Sequence, residues 1–158
     1  MSTPIQALQG VPNACQISPT VLTGGQPSAA HLAAFKATGG QILLDLRDPM
    51  EPRPLDEPAV ARSLDLEYVN VPVSAGTMTD ETMDRILGTL RTAGDRPVLV
   101  HCGSGNRVGA ALLPLLMLDH GLEEEDAVDQ AMRIGLRSAE LLEWGTDYVR
   151  RHRRMESP

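Results

Sequence analysis

Short apolar runs that fit strands alternate along this chain with stretches whose apolar residues recur at helical spacing. Ile17–Leu22 predicts a short strand, and Thr23-Gly24-Gly25-Gln26-Pro27 a turn after it. Ser28 then suits an N-cap for a helix over Ala29–Ala37, with Leu32 and Phe35 on one face and Gly39-Gly40 as the stop. Gln41–Leu46 reads as a buried strand, Arg47–Pro58 as a loop with four prolines, Ala59–Leu64 as a short helix and Leu66–Val73 as another strand. Thr77 or Thr79 caps a helix running to about Thr92, in which Met83, Ile86, Leu87 and Leu90 form one apolar face. Pro97–His101 is the next strand and Arg107–Asp119 the next helix, with a kink expected at Pro114 because proline lacks the N–H that a helix interior needs. Glu123–Ile134, opened by four acidic residues and stopped by Gly135, and Ser138–Arg151, with Leu141, Leu142, Trp144 and Tyr148, complete the pattern.

This alternation predicts an α/β fold: a single domain with a mostly parallel sheet of about four to five strands flanked by helices, helical in its C-terminal third. The domain is expected over residues 17–152, after a loose N-terminal arm over 1–16 that is polar and without period, and before a tail over 153–158. Its 158 residues suffice for an ordinary core without metals or disulfides. One Phe, one Trp and two Tyr make that core aliphatic and leave no platform for stacking on bases. The formal charge of −7 opposes general binding to nucleic acid or to an anionic membrane surface. Arg150, Arg151, Arg153 and Arg154, around His152, suit a helix C-terminus, where cations oppose the dipole.

Cys15 and Cys102 do not form a disulfide framework, and the N-terminus carries no basic segment followed by an apolar one, so a cytoplasmic protein is expected. The apolar run Ala110–Leu118 is too short to span a bilayer. His31, His101, His120 and His152 show no ligand spacing with each other or with the cysteines, so neither a metal nor another cofactor is expected.

The chemistry concentrates in His101-Cys102-Gly103-Ser104-Gly105-Asn106-Arg107, between the strand Pro97–His101 and the helix that follows. A cysteine there meets converging backbone N–H groups and the positive end of a helix dipole, both of which favour thiolate over thiol. Gly103 and Gly105 let the backbone curl so that the amides of Gly103, Ser104, Gly105 and Asn106 form a nest for an oxyanion. Arg107 adds a planar fork of permanent positive charge. Cys102 as nucleophile and Arg107 as oxyanion holder suit transfer of a phosphoryl or sulfur group through a covalent cysteine intermediate. The same residues could equally serve as a turn around a small buried hydrophobe. Cys15 is either incidental or a resolving thiol for Cys102.

The C-x4-R loop and Leu43–Glu51 resemble the single-domain rhodanese sulfurtransferases, but Arg53–Val71 holds nothing like the Gly-His-Ile-Pro-Gly-Ala stretch of that family. A broader resemblance, over Gln16 to about Arg150, is to the bacterial beta-lactamase-hydrolase-like phosphatases, which are similar to dual-specificity protein tyrosine phosphatases. It rests on Thr23–Ser28, Leu44–Arg47, Tyr68–Val73, His101–Arg107 and Ala131–Gly135. The resemblance implies a protein tyrosine phosphatase-like fold and a substrate that is a phosphorylated small molecule or a phosphoprotein. It also implies attack by Cys102 on a phosphoester, oxygens held by Arg107 and the loop amides, and hydrolysis of phosphocysteine by water.

Two departures bear on the chemistry. Tyrosine phosphatases generally place five residues between Cys and Arg and a Ser or Thr after the Arg; here there are four, and Val108 follows. The position of their acidic general acid reads Ser74-Ala75-Gly76-Thr77, which leaves Asp80 as the nearest carboxylate and Asp48 as a substitute. Asp80 also fits a first helical turn and Asp48 a turn with Pro49. Sulfurtransfer through a persulfide on Cys102, and phosphate binding without turnover, remain alternatives to the phosphatase.

Overall fold

A computed structural model describes residues 3–156. Its five strands are β1 (Cys15–Ser18), β2 (Val21–Gly24), β3 (Ile42–Asp45), β4 (Glu67–Asn70) and β5 (Val98–His101). They form one sheet in the order β1-β2-β5-β3-β4, antiparallel between β1 and β2 and parallel elsewhere. The helices are α1 (Ala29–Ala37), α2 (Glu57–Ser63), α3 (Asp80–Ala93), α4 (Asn106–Pro114), α5 (Glu124–Ile134) and α6 (Ala139–Glu156). The expected single-domain α/β architecture is therefore present.

Every residue of β2, β3 and β5 is buried, because helices cover both faces of the parallel part of the sheet. Alternation divides each strand between two cores. Leu22, Leu43 and Leu99 face Leu32 and Phe35 of α1 and Ala61 of α2. Val21, Ile42, Leu44, Val98 and Val100 face α3 to α6, where Met83, Ile86, Leu87, Leu112, Ile134 and Trp144 lie. The caps follow the sequence. The Ser28 side chain accepts from the His31 amide at α1, and the Thr79 side chain from the Thr82 amide at α3.

Three expectations are corrected. Ile17–Leu22 is not one strand: the Ser18 hydroxyl accepts from the amides of Thr20 and Val21 and folds the chain into the β1–β2 hairpin. The expected loose arm over 1–16 is largely structured within the described residues, with a 3-10 turn over Ile5–Leu8 and with Leu8 and Val11 buried beside Leu32 and Phe35. Burial of Leu8 outweighs the polar composition of the segment. At the other end α6 continues through residues 153–156 of the expected tail, and the remaining two residues lie outside the described ones. At Pro114 the helix does change form: α4 gives way to a π-helical turn over Leu115–Asp119, closed by the His120 amide on the Leu115 carbonyl. No helix among the described residues is long and apolar enough to cross a membrane.

The carboxyl ends of β2, β5 and β3 lie level, with Gly24 and Asp45 both in register with His101. In open parallel sheets this edge is where ligands bind. Because Leu8 is fully buried, Leu8→Ala should cost about 2–5 kcal/mol in urea unfolding. A cost below about 0.5 kcal/mol, the size of an ordinary surface substitution, would return the segment to a loose arm.

Candidate active site

Cys102 follows β5 directly, is fully buried, and its amide donates to the Gly24 carbonyl at 3.3 Å. The next two peptides are fixed by their carbonyls. Gln26 N–H donates to Gly103 O at 3.0 Å, and Asn13 Nδ2 donates to Ser104 O at 2.8 Å. A carbonyl held outward turns the N–H of the same peptide plane to the opposite side. Gly105 N–H accordingly donates to Cys102 Sγ at 3.1 Å. Among the described residues the N–H groups of Gly103, Ser104, Asn106 and Arg107 donate to no protein group; those of Asn106 and Arg107 open a helix, whose first N–H groups have no intrahelical acceptor. Gly105 adopts φ +99° as the residue before α4, and a Cβ there would lie 2.3 Å from Ile134 O, so α5 presses on the loop as well. Asn106 Oδ1 accepts from the amides of Arg137 and Ser138, at 2.7 and 3.2 Å, and so ties the loop to the start of α6.

Arg107 meets Glu51, with Nη1 at 2.6 Å from Oε1 and Nη2 at 3.3 Å from Oε2. Glu51 Oε2 also accepts from Arg47 Nε at 2.8 Å. Burial alone would raise the Glu51 carboxyl, but the hydrogen bonds from Arg107 and Arg47 outweigh it and hold the group below the usual glutamate range. Burial disfavours the charge on Arg107, yet its bond to Glu51 and the nearby Cys102 sulfur more than restore it.

A chain of side chains leads from this pair back to the peptide of Cys102. Arg47 Nη1 donates to Gln26 Oε1, Gln26 Nε2 donates to Glu57 Oε1 at 2.8 Å, and Glu57 Oε2 lies 2.5 Å from His101 Nε2. His101 Nδ1 is 3.3 Å from the Cys102 carbonyl. Beside it, buried Asp45 accepts from Arg53 Nη1 at 2.7 Å and from Tyr68 OH at 2.6 Å. Burial, then the bond to Asp45, pushes the Tyr68 phenol well above its ordinary range.

The ligand atoms of Asp45, Glu57 and His101 lie within 4.8 Å of one another, the arrangement among the described residues best able to approach a metal ion. Their carboxylate oxygens already accept from Arg53, Tyr68, Gln26 and the Arg47 amide, so a cation would have to break an ion-paired network.

A cavity of about 410 Å³ opens at Arg107, bounded by Glu51, Ser74, Met78, Ser138, Glu140 and Leu141 among others. The two carboxylates considered from sequence do not line it. Asp80 is ion-paired with Arg151, and Asp48 accepts from the Met50 amide in a turn. Cys15, in β1, has Sγ 3.5 Å from the Arg133 carbonyl, and burial raises its thiol. Asn13, Gln26, Glu51, Glu57 and Glu140 were not anticipated. For Glu51 a signal existed: it stands four residues after Arg47 and they form an ion pair, but within a proline-rich loop that spacing carried no helical meaning.

No protein-family model and no curated protein matches this chain. Solved structures do match over nearly all of it. A candidate phosphatase of the DUF442 group from Shewanella putrefaciens CN-32 has TM-score 0.78 at 21% identity, covering 93% of this chain and 97% of that one. A mutant form of Tk-PTP has TM-score 0.75 at 22% identity, covering 89% and 96%. TpbA from P. aeruginosa has TM-score 0.71 at 20% identity, covering 90% and 85%, and its cysteine-to-serine form is solved in complex with pTyr. The chain has the protein tyrosine phosphatase-like fold.

The lowered Glu51 carboxyl generates a pH signature. Its stabilising contribution is fully present above the unfolded value of about 4.3 and is lost as pH falls through the lower folded value. In urea unfolding, Glu51→Gln should therefore be less stable than the parent by about 1 kcal/mol near neutrality, a modest figure because the pair is partly exposed. The gap should close as pH falls below about 4. A gap that is constant with pH would show that these ion pairs do not stabilise the fold.

Proposed function

We propose that the chain is a cysteine-dependent phosphatase of the beta-lactamase-hydrolase-like, dual-specificity-related type, hydrolysing phosphomonoesters through a phosphocysteine on Cys102. The observation that carries this reading is the orientation of the loop. The Gly103 and Ser104 carbonyls are held by Gln26 and Asn13, the Gly105 amide donates to Cys102 Sγ, the other loop amides keep their donors free of protein partners among the described residues, and the Arg107 guanidinium lies near the same sulfur. Donors fixed in advance around a position where negative charge gathers lower a barrier without reorganising during the reaction. In this reading the Cys102 thiolate attacks phosphorus, the loop amides and Arg107 hold the three non-bridging oxygens, and Glu51 keeps the Arg107 fork in place. Water then attacks phosphocysteine and restores the thiolate.

The substrate is a phosphorylated small molecule or a phosphoprotein. Arg107 is the one cation among the described residues bounding the cavity, and Glu51 and Glu140 bring negative charge to its wall. Such a site suits one phosphate on a body of low charge, in line with the pTyr bound by TpbA, and disfavours polyphosphates. The reading places the protein in the reducing cytoplasm, where a thiolate nucleophile persists, and requires no cofactor.

Sulfurtransfer is the second reading, favoured by the four-residue spacing from Cys102 to Arg107 and by the absence of an aspartate at the usual acid position. The outer sulfur of thiosulfate passes to the Cys102 thiolate with sulfite leaving, and from that persulfide to cyanide with the thiolate leaving, so no oxygen leaving group needs a proton. Parallel assays of p-nitrophenyl phosphate hydrolysis and thiosulfate:cyanide transfer decide between the two. Hydrolysis should be present in the parent and absent in Cys102→Ser; transfer without hydrolysis would replace the proposal with the second reading. Arg107→Lys should weaken inorganic phosphate binding in calorimetry by tenfold or more, about 1.4 kcal/mol, because an ammonium cannot reproduce a two-point fork. Equal affinity would remove Arg107 from the anion site.

A further inference from the structure

A phosphoester whose leaving oxygen is basic needs a proton delivered to that oxygen as the bond breaks. With Asp48 and Asp80 placed elsewhere, two carboxylates bound the cavity at Arg107: Glu51, from the loop after β3, and Glu140, from the first turn of α6. Their surroundings differ in kind. Glu51 accepts from two guanidinium groups, and a proton on it would break both ion pairs. Glu140 is exposed and has no hydrogen-bond or ion-pair partner among the described residues. Its turn of helix is nonetheless fixed to the anion loop. The amides of Arg137 and Ser138 both donate to Asn106 Oδ1, and Ser138 Oγ accepts from the Leu141 amide. Neighbouring carboxylates with opposed environments divide the work of charge and proton handling.

We infer that Glu140 is the proton-transfer residue of this site, an assignment that rests on the phosphatase reading. In the first step the S–P bond forms and the P–O bond to the leaving group breaks. The departing oxygen takes the proton from Glu140, leaving a carboxylate. In the second step water attacks phosphorus, gives its proton to that carboxylate, and the P–S bond breaks to release phosphate and the Cys102 thiolate. The proton returns to Glu140, so each cycle consumes one ester and one water.

A carboxylate in this turn also complements the α6 dipole. That role alone would alter thermal stability and leave the reaction untouched, so the test must read chemistry. Pre-steady-state bursts of phenol release are compared for p-nitrophenyl phosphate and phenyl phosphate in the full chain, in Glu140→Gln and in Glu51→Gln, each checked by circular dichroism for the parent fold. In Glu140→Gln the burst with the nitrophenyl ester should persist ahead of a slowed steady state. The burst with the phenyl ester should slow by about 100-fold or more, because only that leaving group depends on the acid. Glu51→Gln should affect both esters alike. An unchanged ratio between the two esters in Glu140→Gln, or a changed ratio in Glu51→Gln instead, overturns the assignment and leaves the phosphatase reading standing. Absence of turnover in the parent removes both.

Discussion

Two hydrogen bonds to peptide carbonyls, from the Gln26 amide to Gly103 and from the Asn13 side chain to Ser104, decide which way the loop after β5 faces. Each peptide plane carries its donor and acceptor on opposite sides, and buried backbone groups must be paired. Fixing the Ser104 carbonyl to the scaffold turns the Gly105 amide toward the sulfur. Gly105, with φ +99°, supplies the reversal this needs, and the contact of Ile134 and Gly135 with its backbone leaves no room for a side chain. The N-terminal segment, β2, β5 and α5 thus meet at one loop. The conformation of the loop is a consequence of their packing rather than a property of the loop sequence alone.

Electrostatics adds a second constraint. Asp45, Glu57 and His101 lie at the carboxyl edge of the sheet without solvent exposure, and charges there persist only if each is paired and hydrogen-bonded. Arg53 and Tyr68 satisfy Asp45, while Gln26 and His101 satisfy Glu57. Gln26 serves twice over: its backbone holds the loop, and its side chain joins Arg47 to Glu57. Replacing one member of such a network strands its partners, so these side chains add to the apolar core in fixing the relative positions of β2, β3 and β5.

What sequence could reveal followed from the range of the physics involved. Helical spacing, the caps Ser28 and Thr79, the stop at Gly135 and the break at Pro114 are local properties, and those elements appear near their expected bounds. The Cys102–Arg107 loop was legible for the same reason. Asn13, Gln26 and Glu57 were not, because each meets its partner dozens of residues away and nothing in its own neighbourhood marks it. The β1–β2 turn was missed because a hydroxyl, Ser18, makes the turn bonds inside what looks like one apolar run. The N-terminal segment was misjudged by composition: Leu8 and Val11 suffice to anchor it, although its other residues are mostly polar or small.

Fold and chemistry need not agree, because unrelated activities share scaffolds; charge bookkeeping at the cavity constrains the chemistry more tightly. Arg107 and Arg47 together contribute two positive charges, and Glu51 neutralises one of them. In the proposed phosphatase reading one phosphate dianion would meet a single net positive charge from this cluster, opposed by the Cys102 thiolate, plus uncharged amide dipoles that bind oxyanions without adding charge. A second phosphate would find Glu140 and no further cation on the cavity wall among the described residues. In that reading the same count accounts for Glu51 beside the proposed anion site. By accepting from both Nη1 and Nη2 of Arg107, Glu51 fixes the guanidinium beside Cys102.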